Sequence, residues 1–266
     1  MLAEFMARTG NSVIRNIPPD GRAYWAARFW DRDTHEQHPV LGEAFLQQKA
    51  TVAELISRHA ADTGRVLEFA CGTGEFTRLA AERTRARQIT AVDISAEGLR
   101  RARARVDHDN LELIQGDFWA DHGVGTSELV MCLDAIHHLG DVRQVLTRLR
   151  GFVAPGGTFI GNLWTVDNFH QFQRLRYGRV AHLRRTAGFL GTALMIRTSG
   201  GRLRTGAYRT QLLHSDAATR ILRDVFDEVV EVRVEDYFMA FACRVAPDAS
   251  AGPDAATGPA PSAGPR

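Results

Sequence analysis

The sequence predicts an α/β fold, a doubly wound and mostly parallel sheet that ends in a C-terminal antiparallel hairpin. Three observations predict it. The stretch Val66-Leu67-Glu68-Phe69-Ala70-Cys71-Gly72-Thr73-Gly74-Glu75-Phe76 runs from β-forming residues through a small-residue turn into Phe76, Leu79 and Ala80 at helical spacing. Two further strand-like runs each close on an acid, Gln88–Val92 on Asp93 and Leu111–Gly116 on Asp117. The last apolar runs, Val229–Val234 and Tyr237–Cys243, lie near enough in sequence to pair as a hairpin.

Residues 1–43 precede the core and are read as a helical lid. Tyr24, Trp25, Phe29 and Trp30 recur at helical spacing and give that face bulk. His35-Glu36-Gln37-His38 is one residue short of the zinc-peptidase spacing and brings no third ligand, so it reads as solvated surface and no metal is expected. Phe45, Val52, Leu55, Ile56 and His59 then share a helix face leading into the first strand. Ser95 reads as the N-cap of a helix over Leu99–Val106, whose arginine run 100–105 reads as a solvated face. The fourth strand is Leu129–Leu133, followed by Asp134-Ala135-Ile136-His137-His138-Leu139. A helix over Val142–Phe152 and the turn Pro155-Gly156-Gly157 lead to the fifth strand, Thr158–Trp164. Residues 165–209 do not fit a compact core and are read as an insertion forming a substrate wall. Ser215-Asp216 reads as a helix cap. Residues 246–266 hold no bulky apolar side chain and are read as a disordered tail.

In a parallel sheet the strand C-termini line one edge, and ligands bind in the crevice outside it. An acid there, such as Asp93, can accept both hydroxyls of a ribose; Asp117 can accept from the amine of a base. Glycines at 72 and 74 let backbone approach a ligand. The dinucleotide fingerprint G-x-G-x-x-G is not met, because position 77 is Thr, and Glu68 would repel a pyrophosphate.

Over about residues 44–245 the chain resembles the class I S-adenosylmethionine-dependent methyltransferases. The resemblance rests on Glu68-Phe69-Ala70-Cys71-Gly72-Thr73-Gly74, Ala91-Val92-Asp93-Ile94-Ser95, Gln115-Gly116-Asp117-Phe118 and Ala154-Pro155-Gly156-Gly157, in that order. Ala70 stands where the family often has glycine, which fits if its φ is negative. The resemblance implies a Rossmann-like, seven-stranded sheet and S-adenosyl-L-methionine as cofactor. It implies that Glu68 binds the methionine amino group, directly or through water, and that Ala70, Gly72 and Gly74 allow backbone approach. Asp93 with Ile94 would hold ribose and adenine, Asp117 with Phe118 the adenine edge, and Leu133 and His138 would border the methionine.

Methyl transfer from a sulfonium is an in-line displacement, so orientation supplies most of the acceleration and a base helps where the nucleophile must lose a proton. His137 is the first candidate base, Asp134 its orienting or acceptor-binding partner, and Asp167 the alternative base. Tyr24, Trp25, Trp30, Trp164, His170 and Tyr177 are the candidate acceptor-binding residues. The expected acceptor is a small organic molecule, of the kind found in secondary metabolism. A phosphate-bearing acceptor such as RNA, or a non-catalytic donor-binding subunit, is the alternative. The formal net charge of +2, with 33 basic and 31 acidic residues, argues for neither nucleic acid nor an acidic surface. Three cysteines without metal or redox spacing, and no apolar run of membrane-span length, point to a soluble cytoplasmic protein; a homodimer is compatible with it.

Overall fold

The alternation of apolar runs and helical segments yields one seven-stranded sheet. Its strands are β1 (Arg65–Phe69), β2 (Gln88–Asp93), β3 (Leu111–Gln115), β4 (Ser127–Cys132), β5 (Val153–Trp164), β6 (Glu228–Val234) and β7 (Phe238–Arg244), in the spatial order β3-β2-β1-β4-β5-β7-β6. The computed structural model describes residues 2–14, 17, 19, 21–29, 39–167, 169–203 and 210–248. The first five strands are parallel, and β7 runs antiparallel to both β5 and β6, as the hairpin pattern predicts. Strand order reverses between β1 and β4, so the crevice outside their C-termini is where a ligand has room.

Nine α-helices are found among the described residues. They are α1 (Leu2–Ile14), α2 (Arg22–Ala26), α3 (Pro39–His59), α4 (Glu75–Arg83), α5 (Ala96–Arg105), α6 (Val142–Arg150), α7 (Phe169–Tyr177), α8 (Arg179–Thr198) and α9 (Ser215–Val225). One core layer joins Phe45, Val52, Leu55 and Ile56 of α3 to Val66, Ile89 and Met131 of the sheet. A second joins Val145, Leu146 and Leu149 of α6 and Leu222 of α9 to Leu67, Phe69 and Val130. Each such fully buried side chain contributes about 1.5–3 kcal/mol. The alternate sides of the strands therefore face different helices.

Several local expectations are refined. Ser95 does cap α5, accepting from Gly98 N, but the helix begins at Ala96. The turn 155–157 lies inside β5 and does not open it. Arg105 departs from the solvated run: it donates to Thr73 O at 2.6 Å and pairs with buried Glu75 at 3.1 Å, tying α5 to the glycine turn. Ser215 is the first residue of α9, and its backbone N–H donates to the Asp167 carboxylate at 2.6 Å. The inserted segment 165–209 supplies α7 and α8. Helix α8 packs on α1 through Ile14, Ala193 and Ile196, a small core of its own beside the main ones. Residues 249–266, like His35–His38, lie outside the described residues.

Candidate active site

The turn after β1 is shaped by three residues in left-handed backbone. Gly72 has φ +54 and Gly74 φ +77. A Cβ on Gly74 would stand 2.9 Å from the Ala102 Cβ, so that glycine is needed for helix packing. A Cβ on Gly72 would meet nothing within 4 Å, so this glycine leaves its backbone bare toward open space. The expectation of a negative φ at Ala70 is corrected: its φ is +56. A left-handed L-residue costs roughly 1–2 kcal/mol, partly offset by the lower unfolded-state entropy of alanine relative to glycine. Ala70→Gly is therefore expected to raise stability by about 0.5–1 kcal/mol, read as a shift in urea midpoint at unchanged slope.

Glu68 sits behind this turn, 1% exposed, and does not line the cavity. Thr77 Oγ1 donates to its carboxylate at 2.5 Å, and burial pushes its pKa up to about 8. Asp93, at the end of β2, is also buried and its pKa is raised, chiefly by desolvation. Its two oxygens accept from Gly72 N and Ser95 N, both at 2.8 Å, which locks the carboxylate against the turn. After β3, the Asp117 carboxylate accepts from Trp119 N at 2.8 Å and pairs with Arg22 of α2 at 2.6 Å.

A cavity of about 1030 Å³ opens outside these strand ends. Ala70, Gly72, Asp93, Ile94, Asp117 and Phe118 line one part of it. Leu133, Asp134 and His138, following β4, line the next part, with Trp164 from the end of β5. Tyr24 and Trp25 close over it from the α2 segment, and Trp25 Nε1 is buried with no partner among the described residues. Within residues 1–43, the described cavity-lining residues are from 19 to 29 and Leu41; α1 packs on α8. Trp30 lies outside the described residues.

The residues after β4 form a 3-10 turn over Ile136–His138. His138 faces the cavity, hydrogen-bonded to Thr210 through Nδ1 at 3.1 Å. The His137 ring lies against that of His138, centroids 4.2 Å apart, but is walled off from the cavity. It is 0% exposed, does not line the cavity, stacks on Trp164 and accepts the Trp164 backbone N–H at Nδ1. Burial, with His138 adding to it, holds its pKa well below the usual histidine value, so it stays neutral and structural in this geometry. Asp167 is likewise away from the cavity. Burial pulls its carboxyl up, but Ser215 and His214 outweigh this and hold it below the usual range. His170 bonds His182 and Tyr177 packs against Arg176 and Arg185; neither lines the cavity.

Asp134 is the most constrained group in the site. Its φ is +57, and its backbone N–H donates to Asn162 Oδ1. Its Oδ1 accepts from Gln48 Nε2 and Trp164 Nε1, each at 2.9 Å. Gln48, Phe172, Arg176, Thr210 and Tyr237 also line the cavity; Phe172 and Arg176 come from the segment read as a substrate wall, while Gln48, Thr210 and Tyr237 were not singled out. Gln48 left a signal of its own, a long polar side chain on the mostly apolar buried face of α3, where it is 1% exposed. Tyr237 is buried and its pKa raised, by desolvation first and by Asp134 second.

A glycine turn, two strand-end acids and an aromatic-walled cavity stand together at the switch point of a doubly wound sheet, where open α/β sheets take their ligands. Residues 66–157 match the family model of a methyltransferase domain, and that stretch belongs to the class I S-adenosylmethionine-dependent methyltransferases. An uncharacterized methyltransferase of Mycobacterium tuberculosis is 37% identical over 94 residues, 35% of this chain and 47% of that protein. The trans-aconitate 2-methyltransferase of Rhodopseudomonas palustris is 27% identical over 66% of this chain and 63% of its own length. The chain thus spans about half the length of the first curated relatives it matches. The N-methyltransferase NodS of Bradyrhizobium japonicum, solved with S-adenosyl-L-homocysteine, superposes with a TM-score of 0.52 at 17% identity over 89% of this chain and 98% of its own, a likeness of fold.

Proposed function

We propose that this protein transfers a methyl group from S-adenosyl-L-methionine to a small organic acceptor. The single observation that carries this reading is that one cavity is lined both by Gly72, Asp93 and Asp117 and by Asp134, His138, Trp164 and Tyr237. The residues fit such a donor: Gly72 has bare space above it, and each oxygen of Asp93 keeps a lone pair for a hydroxyl. Asp93 would hold the ribose, Ile94 and Phe118 the adenine faces, and Asp117 the adenine amine while it also meets Arg22. Leu133 offers backbone to the methionine end. When bound, the donor supplies a methyl group already activated by the sulfonium charge.

The chain's own contribution is to align the acceptor and remove its proton. Asp134 is held in one orientation by Gln48 and Trp164, so its carboxylate can receive a proton or hydrogen bond from the acceptor nucleophile. His138, Trp25 and Tyr237 enclose that nucleophile and exclude water. An anionic acceptor group is served by Arg28 and Arg176, which line the same cavity. That accords with a relative named for trans-aconitate, a small organic anion. A cytoplasmic, secondary-metabolic role belongs to the same reading.

Incubation of the protein with methyl-labelled donor and fractionated cell extract tests it. Label should enter the small-molecule fraction, and the acceptor KM should change little between low and physiological salt. Label entering RNA, with affinity falling steeply as salt rises, would move the function to a nucleic-acid acceptor.

A further inference from the structure

The near-balanced whole-chain charge conceals a block. Between Asp167 and Asp216 there is no acidic residue, yet there are nine arginines. The rest of the chain then holds 24 basic and 31 acidic residues. Most of this acid-free segment folds as α7 and α8, and there the surface is also unusually apolar. Leu175 of α7 is exposed, as are Val180, Leu183 and Leu194 of α8, with Val180 at 82%. At 3.6 residues per turn, the three α8 side chains fall within about 60° of one another around the helix axis. Arg179 and Arg197 flank that stripe on one side and Arg184 on the other, all exposed. The opposite face of α8, with His182, Ala193 and Ile196, is already buried.

Leu2 and Phe5 of α1 are exposed too. They stand at the same end of the helical layer as Leu175 and Val180, because Glu4 reaches Arg174 at 3.9 Å. A protein groove would call for a concave surface. Here large aliphatic side chains stand on the outside of helices, framed by guanidinium groups and without a nearby acid in sequence. That chemistry suits the boundary of an anionic bilayer, with apolar side chains in the acyl region and arginines at the phosphates.

We propose that the outer face of α7 and α8 is a docking surface for anionic membrane lipid. Helix α7 lies between this surface and the cavity, since its Phe172 and Arg176 line the cavity while Leu175 faces out. Docking would therefore set the cavity beside the lipid boundary, where a lipophilic acceptor concentrates. No helix among the described residues is long and apolar enough to cross a membrane, so the association is peripheral.

Co-sedimentation of the full chain with vesicles tests this without knowledge of the acceptor. The protein should pellet with phosphatidylcholine vesicles containing about one third phosphatidylglycerol and stay soluble with phosphatidylcholine alone. The paired substitution Val180→Ser/Leu183→Ser, and separately Arg179→Glu/Arg184→Glu, should each reduce the bound fraction about tenfold or more. Unchanged donor affinity in calorimetry verifies that both variants are folded. Absence of binding to the anionic vesicles overturns the proposal. So does binding that survives both substitutions. Retention by RNA or by soluble polyglutamate that is indifferent to Val180→Ser/Leu183→Ser, with no vesicle binding, assigns the arginines to a soluble polyanion and also overturns it.

Discussion

Replacing Glu68 by glutamine is expected to stabilise the ligand-free protein by roughly 3 kcal/mol at pH 7. Burial raises the Glu68 pKa from 4.5 to about 8, so the folded protein keeps a proton that the unfolded chain releases. Below pH 4.5 both states are protonated and the residue carries no penalty. As pH rises toward 8 the unfolded state gains, and native stability declines until the folded group ionises as well. Glutamine removes this dependence and keeps an oxygen to accept from Thr77. Urea unfolding near pH 5 and pH 7.5 checks it: the variant should gain mainly at the higher pH. Equal gains at both would show that Glu68 is already ionised in the folded protein.

Asp134→Asn should lower kcat by about 10²-fold or more and leave donor affinity nearly unchanged. Asparagine tolerates the left-handed backbone that Asp134 occupies and retains an oxygen for Gln48 and Trp164. Folding is thereby separated from chemistry. A drop below about tenfold would show that alignment alone carries the reaction. His137→Gln, in contrast, should change stability more than the pH–rate profile, since that ring is buried, neutral and out of the cavity.

Much of the donor side was legible in sequence, because an acid ending an alternating apolar run can only lie at the sheet edge. Asp93, Asp117 and Gly72 line the cavity there, whereas Gly74, expected beside them, serves helix packing instead. The choice between His137 and His138 was not legible. The two rings touch, and only the packing of Trp164 over His137 decides which one meets the cavity. The positive φ of Ala70 was hidden because alanine is a poor reporter of left-handed backbone. Tyr237 and Thr210 lie outside the helices and strands, far apart in sequence, with no motif to mark them. The arginine block was visible as composition but averaged away in the net charge, and only the placement of α7 and α8 turned it into a surface.

The position of β7 inside the sheet bears on how the chain is made. β5 exposes the row of amides and carbonyls from Thr158 to Trp164 until Phe238–Arg244 arrives to cover it. At about 5–20 residues per second of synthesis, that bare edge persists for several seconds on the ribosome. The last of the described strands to emerge is thus an internal one, and the nascent protein passes through a stage with an open template for mispairing. Loss of even a short C-terminal piece reaching into β7 would make that stage permanent.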